Sequence, residues 1–375
     1  MKYFHQYEEN LPDIQELFIS YAFYIFHIEK KSMLKTIKQW GVNPDRTNEL
    51  LQIETTLPAL GENQVLVKVN AVSLNYRDLL EINNFDPKKT PKSYALASDM
   101  AGEIIEIGVN VSQFTVGDKV INSFFSEWIN GHFHGKLDHI IETFGSSKLS
   151  GVLSEYLILS ENHLVKAPKN LNDIESSTLA CAAVTAWQAL IEIGHLKAGE
   201  TVVIQGTGGV ATFALQFALA HGANCIVLSR DEHKLQKLSH LGAFHAINTT
   251  VTPDWHNEVS KITHEYGAEH ILELISGENL NKSLSAISFH GKIYIIGVLS
   301  SFETQINIQP MLFKRPQLHG IGVGSKQVLQ DVVKAIELLN IKPIIDRIYS
   351  FDEIPEAFKH LKKGALGKIV IDLNQ

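Results

Sequence analysis

The stretch "VVIQGTGGVATFALQF", residues 202–217, constrains the fold of this chain more than any other. An apolar run leads into Gly206-Thr207-Gly208-Gly209-Val210-Ala211, and a second apolar run leaves it. Uninterrupted apolar strands belong to parallel sheets buried on both faces by helices. A chain leaving such a strand must turn sharply into the covering helix, and the spacing fits G-x-G-x-x-G/A. In that pattern Gly206 makes the tight turn and Gly208 lets the backbone approach a pyrophosphate. Ala211 is small enough for helix and strand to pack. Thr207, Gly209 and Val210 complete a helix N-terminus whose amides can receive the phosphates. The ligand this stretch predicts is a dinucleotide.

The surrounding pattern agrees. A helix is expected over about 209–220 and a strand over 225–228, followed by strands at "HAIN", "HILELI" and "KIYIIGV" with helices between them. That alternation reads as a doubly wound parallel sheet. Just upstream, "ESSTLACAAVTAWQALIEIG" reads as one helix ended by Gly194. Before Pro168 the style is different. "NQVLVKVNAVSL" alternates as a half-buried strand should, and "AGEIIEIGVNV" and "VGDKVIN" follow in the manner of a small β-barrel. After Gly324 a helix over 326–339 and strands near Ile344 and over 368–373 close the chain. A length of 375 residues suits two domains.

The residue at the end of the second parallel strand selects the dinucleotide. An acid there binds the ribose hydroxyls of NAD. This chain has Ser229, followed by Arg230. A hydroxyl and a guanidinium suit a 2′-phosphate, which an acid would repel, so NADPH is expected over NADH. The alternative is that Arg230 faces solvent and that Asp231 or Glu232 takes the ribose.

Composition excludes several classes. The net charge of −8 argues against a nucleic-acid surface. Two cysteines, Cys181 and Cys225, cannot build a disulfide framework and fit a reducing cytoplasm. The apolar run Leu17 to Ile28 is about 12 residues, short of the roughly 18 needed to cross a bilayer. It follows Glu8, Glu9, Asp13 and Glu16, so no secretory signal is expected. It reads either as an amphipathic helix on the body of the protein or as residues upstream of a true start at Met33. "GHFHGKLDH" gathers His132, His134, Asp138 and His139 in one loop, a composition that can bind metal, although the spacing fits no ligand pattern and such histidines are usually solvated.

Several further stretches occur in one order: "VLVKVNAVSLNYRDLL", "SDMAGEIIEIGVNVSQFTVGDKV", "GVLSEYLIL", "TAWQAL", "GKIYIIGVL" and "GKIVIDL". Together with the glycine turn they resemble the medium-chain dehydrogenase/reductase superfamily, in its zinc-independent quinone oxidoreductase-like and zinc-type alcohol dehydrogenase-like branch. The resemblance runs from about Met33 to Gln375. It implies an α/β fold in which a GroES-like β-barrel catalytic domain, built from both chain ends, is joined to a Rossmann doubly wound parallel sheet. The expected divisions are an N-terminal extension (1–32), the first part of the GroES-like domain (33–168), the Rossmann domain (169–315) and the C-terminal part of the catalytic domain (316–375). It also implies a small-molecule substrate and dimers or tetramers joined through the Rossmann sheets, of which a homodimer is expected. With the cysteine count and charge above, a cytoplasmic protein with no nucleic-acid or membrane partner is expected.

Many relatives carry a catalytic zinc. They have a cysteine where this chain has Asn75 and a His-Glu pair where it has Ser98-Asp99, and of that set only Cys181 keeps a possible ligand. Catalytic zinc needs three protein ligands and an open position, so no metal is expected. Departures from the branch are Asn248-Thr249 after the third Rossmann strand, "ELISGENL" without the usual glycine pair, and a longer, more polar segment over residues 122–150.

The resemblance places Gly297, Val298 and Val323 beside the nicotinamide ring, where glycine-rich strand ends allow close backbone approach. Without a metal, hydride addition to a quinone or conjugated enone or aldehyde is easier than alcohol oxidation, because the charge reaches an oxygen that donors can stabilise. Asn75 and Tyr76 are the expected donors, in the vacated metal region; their alternative role is to close off a strand end. A second function stays open, that of an NADPH-binding regulatory or structural protein with little turnover.

Overall fold

The computed structural model describes residues 36–43, 49–86, 88, 93–134 and 142–375. The Leu17 to Ile28 run, Met33, Asp138 and His139 lie outside the described residues.

Two strands, β1 (Thr36–Val42) and β2 (Leu50–Thr56), pair antiparallel at the start of the described chain. Next come β3 (Gln64–Leu74), β4 (Asp99–Ile107), β5 (Lys119–Asn122), β6 (Tyr156–Ser160) and β7 (Leu164–Lys166). The parallel part then follows as β8 (Thr201–Gln205), β9 (Asn224–Ser229), β10 (His245–Asn248), β11 (Ala268–Glu273), β12 (Ile287–Ile295) and β13 (Gln317–Gly320). The chain closes with β14 (Ile345–Ser350) and β15 (Lys368–Asp372).

The parallel sheet has the order β10-β9-β8-β11-β12-β13. Its strands are buried from both sides for the reason their sequences suggest. Val202 and Ile204 of β8 face one core with Phe213 and Phe217, while Val203 faces another with Ile226 and Ile271. Trp187 meets Phe217 edge to face at 5.1 Å, and a fully buried aromatic side chain contributes about 2–3 kcal/mol. The switch in strand order falls between β8 and β11, and ligands of such sheets bind at the carboxyl ends of strands beside the switch.

The second sheet has the order β14-β15-β3-β4-β5-β7, with β6 also on β3. It joins the two ends of the described chain: β15 pairs antiparallel with β3, Ile369 opposite Leu74 and Asp372 opposite Ala71. The two sheets touch where β15 begins. Gly367 N–H donates to Thr207 O at 2.8 Å, and Gly208 and Gly367 form an isolated bridge.

Two features differ from the sequence reading. The parallel sheet takes its last strand from residues 317–320, beyond residue 315 where the reading ended that domain. Gln317-Leu-His-Gly is a half-exposed edge strand without the apolar run that marks the inner ones. The expected helix before Gly194 is also not regular: π-helical turns at Leu179–Ala183 and Gln188–Ile193 flank an α-helical turn at Val184–Trp187. Within the first π turn the Cys181 N–H donates to the Asp99 carboxylate at 2.9 Å, which draws that amide out of the helical ladder.

Candidate active site

The glycine turn is bare where a ligand would lie. Gly206 has φ +83°, a left-handed conformation that favours glycine. A Cβ added at Gly206 or Gly208 would meet nothing within 4 Å. Gly208 is the N-cap of the helix Gly209–Ala220 and offers no side-chain cap, so the first amides of that helix are left for an anion. Gly209, Val210 and Ala211 form its first turn. Thr207 is different: it is buried, and both its backbone carbonyl and its hydroxyl (Oγ1 to Ala365 O, 3.4 Å) bond to the segment leading into β15.

Ser229 ends β9 beside this turn, and Arg230 follows it. Ser229 Oγ accepts from Asp231 N at 3.1 Å, and the exposed Arg230 guanidinium has no side-chain partner among the described residues. The two nearby acids are engaged. Asp231 caps the helix Glu232–His240, and Glu232 Oε2 accepts from Asn248 Nδ2 at 2.8 Å.

Gly297 and Val298 follow β12. A Cβ at Gly297 would lie 2.2 Å from Leu274 O, so close packing of the strand ends requires this glycine. Val323 is buried with φ +60°. A β-branched residue in that region costs on the order of 1–3 kcal/mol and persists only where its surroundings impose it, commonly at ligand sites. Beneath these strand ends Glu273 is fully buried and accepts from Gln205 Nε2, Ile275 N, Ser276 N and Asn279 Nδ2, bracing the exits of β8 and β11 against each other.

Across the interface lies Asn75, 9% exposed, which begins the helix Tyr76–Asn83. Its backbone N–H donates to Asp78 Oδ2 at 2.7 Å. Its side chain joins a buried chain of polar groups. Lys368 Nζ donates to Asn75 Oδ1 (2.5 Å) and Leu74 O (2.9 Å), and Asn75 Nδ2 donates to Ser98 Oγ (3.3 Å). Ser98 Oγ in turn donates to Asp99 Oδ1 (2.6 Å). One N–H of the Asn75 amide is used by Ser98, which leaves the other. Tyr76, next in sequence, is 47% exposed, and its hydroxyl has no partner among the described residues.

Burial governs the ionisation of this region. Desolvation raises the Asp78 carboxyl to about 6, against the pull of Arg77 and of the Asn75 N–H. Burial, reinforced by the Asp99 charge, raises the Cys181 thiol far above its ordinary range. Arg77 fixes the next wall, donating to Phe144 O (2.9 Å) and Thr143 Oγ1 (3.1 Å) with its guanidinium over the Phe124 ring at 5.3 Å. Phe125, Trp128 and Phe133 continue that wall, and the two edge-to-face pairs made by Trp128 each have centroids 5.5 Å apart. His132 and His134 of the adjacent loop are exposed.

Lys368 is a residue that sequence reading missed. It stands in "GKIVIDL" at only 2% exposure, although lysine is normally solvated. Its signal was indirect, since Gly209 is one glycine more than the turn pattern requires.

Residues 61–169 match the alcohol dehydrogenase GroES-like domain, and residues 209–339 match the zinc-binding dehydrogenase family. A zinc-type alcohol dehydrogenase-like protein of Schizosaccharomyces pombe is 37% identical over 84% of this chain and 92% of its own length. A solved Sinorhizobium meliloti 1021 structure assigned to the alcohol dehydrogenases is 42% identical, with a TM-score of 0.85, over 91% of this chain and 100% of that one. The chain belongs to the medium-chain dehydrogenase/reductase superfamily. A quinone oxidoreductase of Pongo abelii is 28% identical over 86% of this chain and 92% of its own length. The fold is therefore α/β, a GroES-like domain beside a Rossmann-like parallel sheet, and the protein is an oxidoreductase of a family that binds NAD(P)H.

Some members of the superfamily use a metal, and the residues here can be compared with that need. Around Asn75 stand an amide, a hydroxyl, a carboxylate and one thiol whose ionised form burial disfavours, with the Lys368 ammonium already on the amide oxygen. This donor set does not fit a tetrahedral zinc with three protein ligands. Among the described residues, no group of three or more His, Cys, Asp or Glu is placed to hold a metal ion, and no helix is long and apolar enough to cross a membrane.

Proposed function

We propose that this protein is an NADPH-dependent oxidoreductase that reduces quinones, or conjugated enones and aldehydes, by metal-free hydride transfer. The observation that carries this reading is the chain Lys368–Asn75–Ser98–Asp99 beside the open glycine turn, hydrogen-bonded donors at the point where a metal would otherwise act. The Pongo abelii relative named a quinone oxidoreductase supports the acceptor class.

The chemistry a nicotinamide would supply here, when bound, is a hydride. The helix N-terminus after Gly208 holds the pyrophosphate, and the glycines at 206 and 208 leave it room. Gly297, Val298 and Val323 form the backbone against the nicotinamide end. Ser229 and Arg230 receive the 2′-phosphate, a reading supported by the engagement of Asp231 as a helix cap and of Glu232 by Asn248. On the acceptor side, the Tyr76 hydroxyl and the remaining Asn75 N–H donate to the oxygen on which charge develops. Hydride and one proton convert an enone to the saturated ketone, and Tyr76 is exposed enough to recover its proton from solvent. The Phe125–Trp128–Phe133 wall suits a flat, unsaturated acceptor.

We also assign a cytoplasmic homodimer. β13 is the edge of the parallel sheet, and in the segment that leads into it Phe302, Ile308, Leu312 and Phe313 are each more than half exposed, the composition of a face covered by a second copy. Two unpaired cysteines fit a reducing compartment.

The test is NADPH consumption, followed by absorbance, across a panel of quinones, enals and simple aldehydes. Turnover of quinones or enones with NADPH preferred over NADH is expected. Tight NADPH binding with no turnover of any acceptor would instead make the protein a cofactor-binding regulator.

A further inference from the structure

Lys368 touches both halves of the site. Its ammonium grips Leu74 O and Asn75 Oδ1 on the acceptor side. Its stem crosses the dinucleotide turn: a Cβ built at Gly209 would lie 2.5 Å from Lys368 Cδ and 3.1 Å from Ala182 Cβ. Gly208, one residue earlier, has nothing within 4 Å of such a Cβ. The two adjacent glycines therefore serve different purposes. Gly208 leaves space for a ligand, and Gly209 leaves space for the lysine. The backbone reinforces the contact, because Gly367, immediately before Lys368, donates to Thr207 O within the turn.

The lysine also fixes the sense of the Asn75 amide. An ammonium has only donors, so it must face the amide oxygen, and this directs the amide nitrogen toward Ser98. A buried ammonium whose hydrogen-bond acceptors are both uncharged oxygens, with the Asp78 carboxyl acting on it only through space, is a costly way to join two sheets, since packed apolar side chains would serve stability better.

We propose that Lys368 is a positioning residue that couples the dinucleotide turn to the acceptor site, its stem against Gly209 setting where its ammonium holds the Asn75 carboxamide. This rests on the role given above to Asn75. Displacement of the turn as the dinucleotide seats moves the stem, and through it the amide that faces the acceptor. The carboxamide is then set for an acceptor by the seating of the cofactor.

The experiment uses the full chain in three test variants and a fourth that assigns a signal. Lys368→Met keeps the stem and removes the donors, Gly209→Ala keeps both polar groups and displaces the stem, and Lys368→Arg restores a cation. With an enone whose hydride step is rate-limiting, the first two variants should each lose about tenfold or more in kcat, with the acceptor KM changed by less than about threefold. The arginine variant should recover part of the loss. NADPH affinity of the Lys368→Met variant, read by fluorescence without acceptor, should stay within about threefold of wild type. Independently of turnover, both Lys368→Met and Gly209→Ala should shift the side-chain NMR signal of Asn75 in the nucleotide-free protein, the signal being assigned by its loss in Asn75→Ser. An Asn75 signal unmoved by Gly209→Ala, or unchanged kcat in Lys368→Met, overturns the coupling. If Lys368→Met does not fold, Gly209→Ala decides alone. If the wild-type protein turns over no acceptor, the proposed activity fails, and the Asn75 signal still decides the coupling.

Discussion

Asp231 Oδ1 accepts the backbone N–H of Lys234 at 3.2 Å and so caps the helix that starts at Glu232. This relationship bears on how the end of β9 would bind a nucleotide under the proposed function. A carboxylate committed to a helix cap is a poor partner for ribose hydroxyls, and the neighbouring Arg230 guanidinium stands exposed without a side-chain partner among the described residues. Arg230→Ala should therefore weaken NADPH binding and leave NADH nearly unchanged. Losing one charged hydrogen-bonded contact costs about 2 kcal/mol, or about thirtyfold in affinity. Titration of both nucleotides by fluorescence checks this, and equal weakening of the two would remove Arg230 from the 2′-phosphate site.

Asp78 gives the protein a specific pH dependence. Burial holds its carboxyl at about 6, against 3.8 when solvated, so between those values the native state binds a proton that the unfolded chain has released. Stability linked to this group should fall as pH rises through that window and level off above it. A shift of this size corresponds to about 3 kcal/mol. Asp78→Asn removes the titration, so the difference in urea midpoint between the variant and wild type should favour the variant progressively from pH about 4 to about 6.5. A constant difference across that range would mean that Asp78 is ionised throughout, held by Arg77 and the Asn75 N–H.

Most of the parallel sheet was legible because its strands are buried on both faces and therefore read as apolar runs, as at Val202 to Ile204. β13 was not, because Gln317 and His319 lie at an edge where one side of the strand needs no burial. The Cys181 π turn was hidden for another reason: its cause, the Asp99 carboxylate, lies far away in the chain. Asn75 stands out in the sequence, but its partner does not. A lysine reads as solvent-facing in any local pattern, and only the fold shows that Lys368 runs past Gly209 to the amide.

Metal content follows from the same network. A divalent ion at Asn75 and Ser98 would have to displace the Lys368 ammonium from Asn75 Oδ1 and ionise the Cys181 thiol, which burial and the Asp99 charge oppose. Elemental analysis of the purified protein should find well under one zinc per chain, and a chelator should leave NADPH turnover unchanged. Stoichiometric zinc lost together with activity would refute this, and Cys181 and the His132 loop would be the first ligands to test by substitution.

Tyr76 offers the most direct test of the chemistry. It follows Asn75 at the start of a helix and is half exposed, and its hydroxyl is free among the described residues, so it can meet an acceptor without breaking an existing bond. Removing one preorganised donor typically costs roughly 2.7–4 kcal/mol in the transition state, a hundredfold or more in rate. Tyr76→Phe keeps the ring and removes only the donor. It should lower kcat with KM little changed, because the contact strengthens only as charge reaches the acceptor oxygen. Quinones are reactive enough to mask such a loss, so an enone with a measurable deuteride isotope effect is the appropriate substrate. If Tyr76→Phe and Asn75→Ala both keep near wild-type kcat there, these two residues only shape the cleft, and solvent must stabilise the charge and deliver the proton.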